Sequence, residues 1–255
     1  MSKNSIMEKI GEKAKFASLN LSRLNISKKN SVLKQFSQYL KANEQSILNA
    51  NKKDITNAKS KKIKNSMITR LELSSKKISQ IRSSIDQIVK FKDPTGKTLS
   101  SWKRPNGLII KKVSIPIGVI GIIYESRPNV TSDVSALCFK SGNVVILRGG
   151  SEAFHSNKIL AKLFRKALKK KKCDENCVQF IQSKERRHVD YLLSSMKNYV
   201  DLIIPRGGKS LVKKVLKKSS VSIVGHYEGL CHVFVDRDAD LNTAIKVVKN
   251  SKMRN

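Results

Sequence analysis

Glycine and proline are almost missing from the first third of this 255-residue chain: of 12 glycines only Gly11 precedes residue 96, and all five prolines lie from Pro94 onward. A segment so short of turn residues is not built from tight β-hairpins, and its apolar residues recur at helical spacing. Ile6, Ile10, Ala14, Ala17 and Leu21 form one such stripe, Leu33, Phe36, Leu40 and Ile47 another, and Ile78, Ile81, Ile85 and Ile88 a third. Three or four amphipathic helices are expected there. Acidic residues are also scarce, 19 against 52 Lys and Arg, for a formal charge of +33. Binding to nucleic acid or another polyanion is the first reading of such an imbalance, and intrinsic disorder competes with it. Disorder fails after residue 95, where Ile115–Tyr124, Val144–Leu147 and Val233–Val235 are too apolar to stay solvated.

Long hydrophobic runs are absent, the longest being about half of the roughly 20 residues a membrane helix needs. No apolar secretion segment lies in Met1–Lys15, and a cytoplasmic address is expected. Four cysteines are too few for a disulfide scaffold in a chain of this length, so free thiols are expected. Aromatic residues make up only 5%. With no helix-turn-helix, zinc-finger or RNA-binding signature, and with lysine far outnumbering arginine, the charge alone supports a nucleic-acid module only weakly.

Asp93-Pro-Thr-Gly96 and Arg104-Pro-Asn-Gly107 are turn signals, and the second joins Leu99–Trp102 to Leu108–Val113 as a β-hairpin. After Pro116 short apolar runs alternate with helical ones, the pattern of βαβ crossovers. Strands are expected at Gly118–Tyr124, Asn143–Leu147, Val178–Ile181, Leu202–Ile204, Val221–Val224 and His232–Val235. Helices are expected at Ser132–Phe139, Glu152–Lys170, Arg187–Met196, Lys209–Lys217 and Leu241–Lys249. The fold class is α/β, a doubly wound parallel sheet with an N-terminal helical arm and a β-hairpin. The parts are an arm at 1–95, the hairpin at 96–114 and a dinucleotide-binding domain at 115–255.

Several motifs fall short of their templates. Gly207-Gly208-Lys209-Ser210 resembles the end of a P-loop, but Ile203 stands where the first glycine is required. Gly118 and Gly121 give GxxG without the dinucleotide fingerprint, and close backbone packing accounts for them. Cys173 and Cys177 have no second ligand pair, so no metal site is expected. Cys231 and His232, as neighbours on a strand, point to opposite faces. Cys138, on an apolar stretch, reads as a core thiol. Glu228 and His226, before Gly229, read as structural.

Chemistry concentrates at strand ends. Tyr124–Thr131 follows the first strand of the sheet as a polar loop, where such folds contact ligands. Asn129 offers an amide donor to an oxyanion, and capping the next helix is its alternative role. Arg148, Gly149, Gly150 and Ser151 follow the second strand and open a helix, so backbone amides and a fork-shaped guanidinium can meet an anion. Arg206, Gly207 and Gly208 repeat the arrangement. Two such sites suit a dinucleotide.

The stretch PIGVIGIIYESRPNVT at 116–131 resembles the signature of gamma-glutamyl phosphate reductases, also called glutamate-5-semialdehyde dehydrogenases, in the aldehyde dehydrogenase superfamily. WKRPNGL at 102–108, SGNVVILRGGSE at 141–152, IPRGG at 204–208, GLCHVFVD at 229–236 and DADL at 238–241 support it. The resemblance implies an oxidoreductase of proline biosynthesis, reducing L-glutamyl 5-phosphate to L-glutamate 5-semialdehyde with NADPH and releasing phosphate. In that family a cysteine thiolate displaces phosphate and hydride reduces the thioester. Asn129 matches its oxyanion asparagine, Arg148–Ser151 its adenosine-side loop, and Arg206–Gly208 its pyrophosphate loop. Full-length members are expected to be homo-oligomers acting on a small molecule, with no specific nucleic acid and no membrane. The family continues past the segment matching Val247–Asn255 to its nucleophile, and none of Cys138, Cys173, Cys177 or Cys231 falls at that place. The expectation is a truncated chain lacking the catalytic domain and inactive alone; a non-catalytic remnant or cofactor-binding fragment is the alternative.

Overall fold

The computed structural model describes residues 5–225 and 231–253. It divides into two compact units, Met1–Gly225 and His226–Asn255.

The first unit begins with five helices, α1 (Ser5–Leu21), α2 (Ile26–Ala42), α3 (Glu44–Ser60), α4 (Asn65–Leu71) and α5 (Ser75–Lys90). That is one more than the upper end of the three or four expected, because seven-residue α4 is too short to display a stripe of its own. Local chemistry starts two of the others: Asn25 accepts from the Lys28 amide at 2.9 Å and Ser74 from the Lys77 amide at 3.3 Å, each satisfying a donor that the first turn leaves open. Ile78, Ile81, Ile85 and Ile88 of α5 are all buried, as their three- and four-residue spacing requires. The core is continuous from these helices into the sheet, with the Phe36 ring of α2 packed 4.6 Å from that of Phe164.

Two side chains of α3 fasten it to a later helix, α7 (Phe154–Lys170). Asp54, 1% exposed, accepts from the His155 amide, the Ser156 amide and the Ser156 hydroxyl at 3.0, 2.8 and 2.7 Å. It thereby caps the first turn of α7 from another helix. Asn51 donates to the Leu71 carbonyl and to Ser156 Oγ and accepts from the Leu73 amide.

A hairpin follows, β1 (Thr98–Lys103) antiparallel to β2 (Ile109–Val113), with Trp102 opposite Ile110. Its turn closes through Arg104 and Leu108, and Gly107 takes φ +86°, open to a residue without Cβ. The sheet comprises β3 (Val119–Tyr124), β4 (Val144–Gly149), β5 (Val178–Phe180) and β6 (Leu202–Arg206), all parallel in the order β5-β4-β3-β6. α6 (Pro128–Lys140), α7 and α8 (Arg186–Ser194) are the crossovers, and α9 (Lys209–Lys218) leaves β6. The β3 and β4 side chains are buried throughout, which is why their sequences are apolar without alternation. Gly118, at φ +125°, leaves room for Asp201, whose carboxylate accepts from the Val119 amide at 2.7 Å and pairs with Lys15 at 3.0 Å.

The chain runs outward from β3 to β4 and β5, then returns to place β6 on the other side of β3. The reversal makes the boundary between β3 and β6 the switch point, where the loops at the carboxyl ends diverge and leave a crevice.

Two expected strands are not formed. Val221–Val224 is reduced to a single parallel bridge between Ile223 and Ile203. In the second unit the described residues of His232–Val235 have no ladder partner and no strand, and Phe234 is exposed. An apolar run becomes a strand only beside another strand's amides and carbonyls. The second unit contains α10 (Leu241–Lys252), capped by Asp240 on the Thr243 amide at 2.7 Å, with no buried residue. His226, Glu228 and Gly229 lie outside the described residues.

Candidate functional site

Tyr124 and Arg206 are paired across β3 and β6, and both strands end there. The Glu125 amide donates to the Arg206 carbonyl at 3.2 Å, and the Gly208 amide donates to Glu125 Oε2 at 3.0 Å. Gly208 is the N-cap of α9, so the Glu125 carboxylate sits at the positive end of that helix. Gly207 is glycine for a steric reason: a Cβ there would lie 2.6 Å from Glu125 Cδ and 2.7 Å from Leu211 Cδ2.

Around this contact is a cavity of about 280 Å³ lined by Glu125, Ser126, Arg127, Arg206 and the glycine pair, with Arg70 entering from α4. Three guanidinium groups thus face one carboxylate, a field that favours an anionic guest. Ser126 Oγ is buried and has no hydrogen-bond partner among the described residues.

The loop after β4 adjoins the same place. A Cβ on Gly150 would lie 3.4 Å from the Ser126 amide nitrogen and 3.6 Å from Glu125 Cα, so the two loops are in van der Waals contact. Gly149 serves packing: a Cβ there would stand 2.2 Å from Asn157 Nδ2 and 3.1 Å from the Tyr124 ring. Beneath it Tyr124 Oη meets Thr131 Oγ1 at 2.7 Å, and Thr131 Oγ1 donates to Asn157 Oδ1 at 2.8 Å. Ser151 is exposed, and its hydroxyl donates to Glu152 at 3.1 Å.

Arg148 departs from the fork expected to meet phosphate. Its side chain is buried, Nη1 donates to the Gly149 carbonyl, and Nη2 donates to the Lys184 carbonyl at 3.2 Å. Burial lowers its pKa, with the charges of Glu152 and Tyr124 opposing. Two donors are spent on carbonyls because the β4 terminus and the loop before α8 present unsatisfied oxygens inside the protein. It does not line the cavity.

Asn129 is the second residue of α6 and donates to Asp133 Oδ2 at 3.2 Å. Arg127 holds the N-cap position, so Asn129 does not cap the helix. Asn129 borders a neighbouring cavity of about 260 Å³ with Asp133 and Arg70, and Arg70 lines both cavities. Burial raises the Asp133 carboxyl pKa, partly offset by the bond from Asn129. The thiols stand apart: Cys138, Cys173 and Cys177 do not line the cavity, and burial raises all three, Cys138 to about 12. Cys231 is exposed in the second unit.

Glu125 lies in the Tyr124–Thr131 loop marked from the sequence, but its contact with the Gly208 amide does not follow from that position. Met67 and Arg70 of this lining carried no sequence signal, since only tertiary packing brings α4 to the sheet.

The aldehyde dehydrogenase family profile matches residues 2–255. The chain belongs to the aldehyde dehydrogenase family. Enzymes of this family use NAD(P). The chain is similar to the gamma-glutamyl phosphate reductase of a Nitratiruptor species, at 45% identity over 248 residues, covering 97% of this chain and 60% of that protein. The Carboxydothermus hydrogenoformans protein of the same name is 44% identical over 243 residues, with 95% and 58% covered. The crystal structure of gamma-glutamyl phosphate reductase from Thermotoga maritima superposes with a TM-score of 0.89 at 38% identity, covering 97% of this chain and 60% of that one. A propionaldehyde dehydrogenase from Clostridium phytofermentans shares the fold, with a TM-score of 0.70 at 16% identity over 96% of this chain and 52% of that one. The chain therefore spans about 60% of the length of the gamma-glutamyl phosphate reductases it matches. Among the described residues no helix is long and apolar enough to cross a membrane.

Proposed function

We propose that this chain carries the cofactor-binding part of a gamma-glutamyl phosphate reductase, an enzyme of proline biosynthesis that reduces L-glutamyl 5-phosphate to L-glutamate 5-semialdehyde and releases phosphate. The parts are the helical arm at 1–95, the hairpin at 96–114 and the dinucleotide-binding domain at 115–255. The observation that carries the reading is the crevice between β3 and β6, where a carboxylate oxygen already lies 3.0 Å from the Gly208 amide at the start of α9. A phosphate oxygen makes the same contact with the same dipole. The unpartnered Ser126 hydroxyl supplies a further donor beside it, so the residues present fit a dinucleotide's pyrophosphate.

In this reading the Gly207-Gly208 backbone and Arg206 hold the pyrophosphate, and Gly149, Gly150 and Ser151 flank the adenosine side. Arg148 acts on that loop through its carbonyl bonds. Bound NADPH supplies the hydride. Asn129 orients its amide toward the substrate's acyl oxygen after releasing Asp133, stabilising negative charge that develops there. Displacement of phosphate needs a thiolate, and the raised pKa values of Cys138, Cys173 and Cys177, away from the cavity, disqualify them. With the exposed Cys231 not at the nucleophile's place in the family resemblance, that observation favours a second reading of the isolated chain as a cofactor-binding fragment without turnover. A cytoplasmic address, a small-molecule substrate and homo-oligomeric assembly of the whole enzyme accompany the proposal.

Replacing the matching segment of the Nitratiruptor relative with residues 1–255 of this chain tests the function. The chimaera is expected to oxidise NADPH only when L-glutamyl 5-phosphate is supplied. A folded chimaera that binds NADPH yet ignores that substrate overturns the reading.

A further inference from the structure

A second and larger cavity, about 600 Å³, opens between α1, α7 and the start of α8, and shares no lining residue with the crevice at β3 and β6. Its apolar surface includes Ile10, Phe180 and Ile181, and the contact of Gln179 Nε2 with the Ile10 carbonyl at 2.8 Å fixes α1 against the edge of the sheet there. The rim is cationic. Lys9 and Lys13 rise from α1, and Lys158 and Lys162 from α7, each pair four residues apart on one helix face and exposed. Like charges at that spacing repel, so helix stability gives no reason for either pair. None of the four has an ion-pair partner among the described residues. Arg165 and Arg187, also in the lining, are committed to Glu175 and Glu185. A buried polar atom adds an independent sign: His188 lines the cavity at 4% exposure, and its Nδ1 meets no hydrogen-bond partner among the described residues. Buried nitrogens of this kind ordinarily have one.

We propose that this groove binds a small amphipathic organic anion, an alkyl or aryl chain ending in a phosphate or carboxylate. A fully hydrophilic ion leaves exposed Ile6 and half-buried Ile10 and Phe180 uncovered, and a neutral apolar molecule leaves four ammonium groups uncompensated. A chain with an anionic head satisfies both, its body on the apolar floor beside His188 and its head among the lysines. The site is independent of the cofactor crevice and of the function proposed for it.

Isothermal titration of the 255-residue chain with octyl phosphate, octyl glucoside and inorganic phosphate is the test. Octyl phosphate is expected to bind at least about tenfold more tightly than either half-probe, and Lys158→Glu/Lys162→Glu to weaken it by about tenfold or more, with binding falling as salt rises. Arg206→Ala, in the other cavity, is expected to leave this binding unchanged. Equal affinity for octyl glucoside, unchanged binding in the double variant, or loss of binding in Arg206→Ala overturns the proposal. If the double variant fails to fold, Lys9→Gln/Lys13→Gln on exposed positions of α1 replaces it, with the same thresholds for support and refutation.

Discussion

Replacing Asp54 with Ala is expected to destabilise the first unit by about 3–5 kcal/mol, because two backbone amides and a hydroxyl lose one charged acceptor. The carboxylate is 1% exposed and accepts three hydrogen bonds from His155 and Ser156. Each bond to a charged acceptor contributes about 1.5–3 kcal/mol, and each donor left buried without a partner costs about 1–3 kcal/mol. These figures do not add fully, because the two amides belong to one helical turn and relax together. Loss of the negative charge at the start of α7 acts in the same direction, by up to about 1 kcal/mol. Against a total stability of about 5–15 kcal/mol, the change is large enough to read without ambiguity. Urea denaturation followed by far-ultraviolet circular dichroism should show the midpoint lowered by about 1 M or more, taking a slope of about 3 kcal/mol per M. Asp54→Asn keeps one carbonyl oxygen as an acceptor and should lose roughly half as much. An Asp54→Ala midpoint within about 0.2 M of the parent would refute the claim that Asp54 fastens α3 to α7.

Acid should weaken the contact of Asp93 with Lys29, which lie 3.0 Å apart with Lys29 1% exposed. Burial pushes the Asp93 carboxyl up, but Thr95 and Lys29 together outweigh it and hold the pKa below 3.8. A carboxylate held low in the folded state stabilises above its unfolded value and loses that contribution as pH falls through the folded one. Urea midpoints of Asp93→Asn should therefore fall less than the parent's between about pH 5 and pH 3; parallel profiles would contradict this. In thiol labelling, Cys231 should react first, while Cys138, with its pKa pushed to about 12, and Cys177 should wait for unfolding. Rapid native-state modification of Cys138 would count against the buried thiol assignment. Glu125→Gln should raise NADPH affinity by about two- to fivefold, because a carboxylate that competes for the Gly208 amide and the α9 terminus is gone. An unchanged affinity would refute that competition, and a weaker one would show that Glu125 supports the cofactor.

Much of the architecture was legible because its signals are local. The unbroken apolar runs ending at Tyr124 and Leu147 lie within strands buried on both faces, and the 3- and 4-residue steps of the isoleucines in α5 became its packed side. Arg104–Gly107 formed the turn its residue types favour. What was not legible depended on partners far away in the chain. Val221–Val224 looked like a strand and obtained one bridge, because pairing is a property of two segments. Arg148 looked like an anion donor, yet its guanidinium turned inward to the carbonyls of Gly149 and Lys184. Asp54 sits among the lysines of α3 and Arg70 on the short α4, and nothing in their spacing distinguishes a cap on another helix or a cavity wall from a solvated face. In the crevice the glycines and the loop holding Glu125 were visible in advance, whereas the contact of that carboxylate with Gly207 and Gly208 was not.

The proposed function turns on NADPH binding at the α9 terminus, and fluorescence titration of the 255-residue chain beside Gly208→Pro measures that binding without intermediaries. Gly208 has φ −68°, an angle proline adopts without strain, so the substitution removes the amide donor while keeping the backbone path. Saturable binding is expected for the parent, with a loss of about tenfold or more in Gly208→Pro and little change in the melting temperature of the free chain. Saturable binding of equal strength in both, or none in a folded parent, would contradict it.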